Sequence, residues 1–421
     1  MLTLYRILLW LAGPFLLSRL QRPAAARPGL ARKRAERLGR LALDADSSPV
    51  WVHAASVGEV NAAQGLIRAL RDAESTRIVV STFTVTGAER VAELFGDSVH
   101  GVFAPIDTWF SVRRWLSAVR PRVCLVVETE IWPELFIQTA RREIPLALVN
   151  ARLTERSVQR ARRVSGLFRR ALTACSLAIC QTRDDAKRFE QLGLPADRLH
   201  VSGNLKFDNP LPDNIGRRAQ ELRQQWGGRP AWVAGSTRPG EEAIILEAHR
   251  QLRTQFPEAL LILAPRHPDR VRDIETLISA ADLRSQRFDE SVDHETSVVV
   301  VDRLGALLPC YAAASAAFVG GSLVDIGGHN LLEPAAFGKA VMAGPHLFQQ
   351  ADAAAALRAS GALIEVENAR SLAGAVRSIW ENPEDALVKG RAALDVVENG
   401  RGSLRRTVRL LDPLLSRSAA R

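Results

Sequence analysis

Two doubly wound α/β domains joined by a short linker are predicted by this sequence, on three observations. From residue 49 onward, short β-branched runs alternate with helix-period stretches. The segment FDNPLPDN at 207–214, with two prolines and several turn formers, splits the alternation into two series. The 421 residues make room for two large domains or three ordinary ones of about 150 residues each.

Composition fits that class. Hydrophobic residues at 47% and charged residues at 24% describe a globular chain, neither disordered nor polytopic. Lys+Arg 56 against Asp+Glu 46, a net charge of +10, favours an anionic partner: nucleic acid, acidic lipid or a phosphorylated substrate. Cys124, Cys175, Cys180 and Cys310 stand in apolar stretches without a C-x-x-C pair, so buried thiols are expected. The histidines show no metal-ligand spacing, and His329 and His346 read as hydrogen-bonding loop residues.

The segment Leu2 to Leu20 is almost wholly apolar apart from Arg6, Ser18 and Arg19, and Arg22, Arg27, Arg32, Lys33 and Arg34 follow it. A helix of that length reaches roughly 28 Å against a bilayer core of about 30 Å. A cleaved signal peptide fits poorly, because the basic residues follow the run and no small-x-small site is evident. A signal anchor would leave the rest of the chain in the cytoplasm. Arg6 and Pro14 favour a monotopic helix instead. Because both sheet series begin after residue 49, residues 1–20 are expected to serve location and neither core.

The first domain, 21–208, takes its strands from VWVHAAS (50–56), RIVVSTFT (77–84), GVFAPID (101–107), VCLVVETE (123–130), PLALVNA (145–151) and LAICQT (177–182). The second, 209–421, takes them from AWVAGST (231–237), ALLILAPRH (259–267), SVVVVD (297–302), AAFVGG (316–321), KAVMAGPH (339–346) and GALIEV (361–366). The tail from Ser371 reads as helices belonging to that second domain.

Ligands of open α/β sheets sit beyond the carboxyl ends of the strands, so polar groups there matter most. His53-Ala-Ala-Ser56-Val-Gly58-Glu59 ends the first strand; Glu59 is a candidate general base, and equally the far end of a Ser56-x-x-Glu59 capping box. Glu128-Thr-Glu130-Ile-Trp-Pro133 ends the fourth. Strand alternation would send both acids to one side, where each raises the other's pKa, while helix-start electrostatics explains them as well. Lys206 stands at the domain junction, able to reach an anionic substrate or to pair with Asp208.

In the second half Gly235-Ser236-Thr237 precedes a helix opened by Gly240-Glu241-Glu242, whose N–H groups suit a phosphate. Pro265-Arg266-His267 ends the next strand, with Arg266 able to hold a phosphate through two hydrogen bonds. The run Gly320 to Pro334 carries Gly321, Gly327, Gly328, Asn330, Leu331, Leu332 and Glu333. Its glycines favour a nucleotide close to the backbone, with Asn330 and Glu333 as N-cap and first-turn residues and Glu333 suited to ribose hydroxyls. Neither a dinucleotide glycine fingerprint nor a P-loop occurs. The arginines at 152, 156, 160, 162, 163, 169 and 170 form either a solvated face or a surface for acidic lipid.

The motifs HAASVGE, ETEIWPEL, LVNARL, GNLKFD, GSTRPGEE, LAPRHPDR and FVGGSLVDIGGHNLLEPA, in this order along nearly the whole chain, resemble the bacterial 3-deoxy-D-manno-octulosonic acid (Kdo) transferases. The resemblance implies a GT-B type inverting glycosyltransferase, two Rossmann-like domains facing across a cleft, at the cytoplasmic face of the inner membrane. The donor would be CMP-Kdo, held by the C-terminal half. The acceptor would be the phosphorylated disaccharide precursor of lipid A, held by the N-terminal half near anionic lipids. Neither metal nor cofactor is implied. Carried over residue by residue, Glu59 becomes the base, and Glu128 and Lys206 assist the transition state. Pro265, Arg266, Gly305, Ala306, Leu307, Asn330, Leu331, Leu332 and Glu333 become CMP contacts, with Ser236, Thr237, His267, Gly321 and Gly328 as further ones. One departure stands out: the family usually has an acidic residue where Ala306 is. Another nucleotide-sugar glycosyltransferase of this architecture or a sugar epimerase is the alternative. A nucleic-acid binder is disfavoured by an aromatic content of 6%, too little for a stacking platform.

Overall fold

The computed structural model describes residues 2–20, 30–41, 48–73, 77–162, 165–208, 211, 214–303 and 305–419. Arg22, Arg27 and Arg163, and most of the linker prolines' surroundings at 209–210 and 212–213, lie outside the described residues. The chain divides into two compact units, residues 1–210 with 400–421 and residues 211–399.

In the first unit β1 (Val50–His53), β2 (Ile78–Thr82), β3 (His100–Phe103), β4 (Val123–Val127), β5 (Leu146–Ala151), β6 (Leu177–Cys180) and β7 (Leu199–Val201) make one parallel sheet. Its order is β3-β2-β1-β4-β5-β6-β7. Successive strand residues feed opposite faces. Trp51, Cys124, Val126 and Leu148 enter one core with Trp115 and Phe136, while Val50, Val52, Leu125 and Val127 enter the other with Leu66 and Ile67. Burial on both faces is why these strands read as unbroken apolar runs. The chain order reverses between β1 and β4, which opens a crevice at their carboxyl ends.

The second unit repeats the plan with β8 (Ala231–Thr237), β9 (Leu260–Pro265), β10 (Ser285–Arg287), β11 (Val298–Val300), β12 (Ala316–Val319), β13 (Val341–Ala343) and β14 (Leu363–Glu365). All pairings are parallel, in the order β10-β11-β9-β8-β12-β13-β14, with the reversal between β8 and β12. Twelve strands match the expected runs; β7 and β10 have no counterpart among them. Both are three-residue edge strands of half-exposed residues, LHV and SQR, which carry no apolar run to read.

Two expectations are corrected. The tail does not end in the second domain: helix Ser403–Ala419 returns to the first unit, where Leu411 and Leu415 complete the core around Val50, Ile78 and Val123. Asp208 fixes its start by accepting the N–H groups of Gly402 at 2.7 Å and Leu404 at 2.8 Å, so Asp208 is a helix cap and not the partner of Lys206. The amphipathic period of that helix was visible in the sequence, but not which sheet it covers.

The N-terminal helix, Leu2–Leu20, is likewise more than an appendage. Leu2 packs on Ile137 and Leu167, and Arg6 makes a bidentate pair with the fully buried Glu134. Its opposite side exposes Leu4, Ile7, Leu8 and Leu11. Among the described residues no helix is long and apolar enough to cross a membrane.

Replacing Asp208 by Ala should cost about 1–2 kcal/mol, the usual worth of a helix cap. Urea unfolding followed by tryptophan fluorescence checks it; an unmoved midpoint would mean that Leu411 and Leu415 alone hold the last helix.

Candidate functional site

The crevice of the first sheet is lined from β1 and β4. After β1 the chain turns through Ala54 to Ser56 into helix Val57–Ala73, which puts Glu59 in the first turn, as its capping pattern requires. The Glu59 carboxylate does reach back, accepting through Oε2 the Ala55 N–H, while the Glu59 N–H faces Ser56 Oγ at 3.5 Å. Burial pushes the Glu59 carboxyl up to about 8, and the charges of Glu130 and Glu128 add to the rise.

After β4, Glu128 adopts φ 59°, a left-handed turn that ends the strand. The two acids of Glu128-Thr-Glu130 are therefore not adjacent strand positions; the turn, not alternation, brings both towards Glu59. Lys206 Nζ lies 3.0 Å from Glu128 Oε1, at an angle that makes a charge contact but leaves that oxygen without a hydrogen bond. Glu130 Oε2 accepts the Trp132 indole N–H at 2.7 Å, and burial raises its pKa.

Trp132 is wedged between His53, 4.8 Å between ring centroids, and Phe83, 5.3 Å. His53 is buried and bonded through Nδ1 to Ser81 Oγ, and desolvation lowers its pKa to about 4, so it is neutral. Two residues at this edge escaped the sequence reading. Asn150, with φ 53°, accepts the Leu205 N–H at 2.9 Å and so positions the turn that carries Lys206. Arg37 stacks over Phe83 and Phe103 at 4.6 and 4.9 Å. In the sequence Arg37 is one member of a basic stretch, and nothing in the spacing separates it from the others.

The second unit gathers cations at its own reversal. Arg238, just after β8, donates from Nε to His329 Nε2 at 3.1 Å and lies 2.8 Å from His267 Nε2 through Nη1. Arg266 joins them: its charge and that of Arg238 depress the His329 pKa, which burial lowers first, to about 3. Arg238 itself is lowered by burial and then by Arg266. Cations held this close repel, and an anion relieves the repulsion.

Two details of the nucleotide reading are corrected here. The buried Glu241 carboxylate, not a ligand, takes the N–H groups of Arg238, Gly321, Ser322 and Leu323 at 2.7–3.0 Å. The glycines are explained by packing: a Cβ on Gly320 would stand 2.7 Å from the Ser236 carbonyl, and one on Gly321 2.9 Å from the His329 ring. Ser236 itself takes φ 58°, and Thr237 donates to Glu242 at 3.1 Å, a carboxylate also paired with Arg270 at 2.7 Å.

Asn330 is not the N-cap of helix Leu332–Ala335, a place held by Leu331, but accepts the Leu332 N–H at 3.2 Å and donates to Glu333 at 3.3 Å. Leu331 and Leu332 are buried, so they offer backbone only. Pro265 ends β9; Gly305, at φ 84°, and Ala306 lead into helix Leu307–Ala313, where Ala306 has no polar side chain to offer. Gly328 takes φ 78° beside Leu347. His346 lies 3.7 Å from Asp325, away from the cationic group. Among the described residues no group of three His, Cys, Asp or Glu is placed to hold a metal ion.

Residues 32–209 match the family described as 3-Deoxy-D-manno-octulosonic-acid transferase (kdotransferase). The 3-deoxy-D-manno-octulosonic acid transferase of Haemophilus influenzae is 37% identical over 421 residues, covering 98% of this chain and 99% of that one. The chain belongs to the Kdo transferase family. It is thus a glycosyltransferase, and the Bordetella pertussis transferase, 34% identical with 88% of each chain covered, is a further relative. The UDP-GlcNAc 2-epimerase of Neisseria meningitidis shares the fold at a TM-score of 0.59, with 15% identity over 87% of this chain and 100% of that one.

Glu130→Gln removes one of the two charges that raise Glu59, so the Glu59 midpoint should fall below about 8. Infrared titration of the carboxyl stretch reads this directly; an unmoved midpoint would leave burial and the Glu128 charge as the causes.

Proposed function

We propose that this transferase moves Kdo from CMP-Kdo to the phosphorylated disaccharide precursor of lipid A (lipid IVA), with inversion, at the cytoplasmic face of the inner membrane. The observation that carries the reading is the grouping of Glu59, Glu128, Glu130 and Lys206 at the reversal point of the first sheet. A carboxylate with a pKa near 8 accepts a proton from a hydroxyl far better than an ordinary one, because its basicity is matched to neutral pH.

In the step, the acceptor hydroxyl oxygen forms a bond to the anomeric carbon of Kdo as the bond from that carbon to the CMP phosphate oxygen breaks. The proton goes to Glu59, and the electron pair leaves with CMP. Lys206 offsets the Glu128 charge, its ammonium 3.0 Å from Glu128 Oε1. Arg238 and Arg266 supply positive charge to the departing phosphate, with Glu333 and the backbone of Gly305 to Leu307 for the nucleoside.

Membrane association is supported by the exposed Leu4, Ile7, Leu8 and Leu11. A shallow depression lined by Trp109, Phe110, Arg113 and Arg114 offers aromatic and basic groups together, as an anionic lipid surface requires. A sugar epimerase shares the fold, but the relatives over the full length are transferases.

Glu59→Gln should keep CMP binding and lower turnover by about two to four orders of magnitude. Near-normal turnover of the purified variant with CMP-Kdo and detergent-dispersed acceptor would make Glu59 a capping residue only. Arg238→Ala, Arg266→Ala and Glu333→Ala should each weaken CMP by roughly 1.5–3 kcal/mol by calorimetry. Unchanged affinity in all of them would move the donor site elsewhere.

A further inference from the structure

The loop Glu128 to Trp132 carries two of the three grouped carboxylates, so whatever fixes it bears on the transfer step proposed above, on which this inference rests. One end is held by β4. The other end is the start of helix Pro133–Ala140, whose N-cap residue, Trp132, makes no side-chain cap bond. The missing cap comes from a distant loop: Asp107 accepts the Glu134 N–H at 3.0 Å and the Leu135 N–H at 2.8 Å. Asp107 is in turn held by the Tyr5 hydroxyl, which donates to it at 2.6 Å.

Glu134, fully buried in the first turn of the same helix, takes the Arg6 guanidinium on both oxygens at 2.8 and 2.9 Å and the Gln138 amide at 2.8 Å. Two adjacent residues of the N-terminal helix therefore hold the two carboxylates that define this helix start. A buried carboxylate without a cation either takes up a proton or turns towards water, and both would release the first turn. Trp132 would then lose its wedge between His53 and Phe83, and Glu130 its indole donor.

We propose that Tyr5 and Arg6 are positioning residues for the transfer reaction, fixing the Glu128–Trp132 loop through Asp107 and Glu134. The same helix presents Leu4, Ile7, Leu8 and Leu11 outward, so one element carries both the apolar surface and the frame of the acidic loop. A Lys at position 6 would keep the charge but lose the two-pronged geometry.

The test compares turnover of full-length variants with CMP-Kdo and detergent-dispersed acceptor. Arg6→Met combined with Glu134→Gln removes both charges together, so the interior keeps no lone ion. It should melt near the parent temperature, lose about ten- to a hundredfold in kcat, and keep KM for both substrates within about twofold. Arg6→Lys should fall between. Tyr5→Phe removes a bond that holds the Asp107 carboxyl down; burial has pushed that group up to about 7, and Tyr5 and Glu134 are the titratable groups facing it. The acid limb of kcat should therefore move to higher pH. Leu4→Ser with Leu8→Ser and Leu11→Ser should lose binding to phosphatidylglycerol vesicles and keep kcat in detergent.

Parent kcat in a folded Arg6→Met/Glu134→Gln protein overturns the proposal. Should that protein not fold, parent kcat in Arg6→Lys together with an unmoved acid limb in Tyr5→Phe overturns it. A kcat loss in the serine variant equal to that of the charge variant also overturns it, because the helix would then act by holding amphiphiles. A parent protein that forms no Kdo-bearing product from CMP-Kdo and detergent-dispersed acceptor would sink the transfer reading instead, a separate outcome.

Discussion

Five carboxylates, Glu59, Asp107, Glu128, Glu130 and Glu134, crowd the carboxyl edge of one parallel sheet, and the cost of keeping them there shapes the first unit. Asp107 and Glu134 are buried, Glu59 is pushed upward by burial and by the charges of Glu130 and Glu128, and Glu130 by burial and by the charge of Glu128. Each receives its own remedy. Glu59 takes a backbone N–H, Glu128 the Lys206 ammonium, Glu130 an indole, Asp107 two helix N–H groups and a phenol, and Glu134 a guanidinium. The structural acids are satisfied completely. The acids in the crevice have fewer partners each, and Glu59 and Glu130 stay perturbed.

The second unit faces the opposite problem. Arg238 after β8, Arg266 and His267 after β9 and His329 after β12 stand together, and the buried acids Glu241 and Glu242 stabilise the turns beside them. The first unit thus carries an acidic edge and the second a cationic one, each at the reversal point of its own sheet.

Both chain ends are drawn into the first unit, and for different reasons. The last helix brings apolar residues that complete a core, fixed at its start by Asp208. The first helix brings Tyr5 to Asp107 and Arg6, as the cation, to Glu134. That unit is consequently built from two separate stretches of sequence, with the second unit inserted ahead of its final helix.

The sequence by itself determined the two-sheet plan, because strands buried on both faces must be apolar runs and the intervening helices must be amphipathic. It also marked Glu59, Glu128, Lys206 and Arg266, since each follows a strand end or a turn where ligands of such sheets gather. Edge strands β7 and β10 were invisible, because pairing on one side alone demands no apolar run. The capping box and the candidate base at Glu59 could not be told apart by spacing; burial first, and then the Glu130 and Glu128 charges beside it, separate a perturbed acid from an ordinary cap. Arg6, Tyr5, Asp107 and Glu134 lie about a hundred residues apart or more in two pairs, Tyr5 with Asp107 and Arg6 with Glu134. Which buried carboxylate meets which cation is decided by three-dimensional packing, since a charge in an apolar segment states that a partner is needed and not where it is.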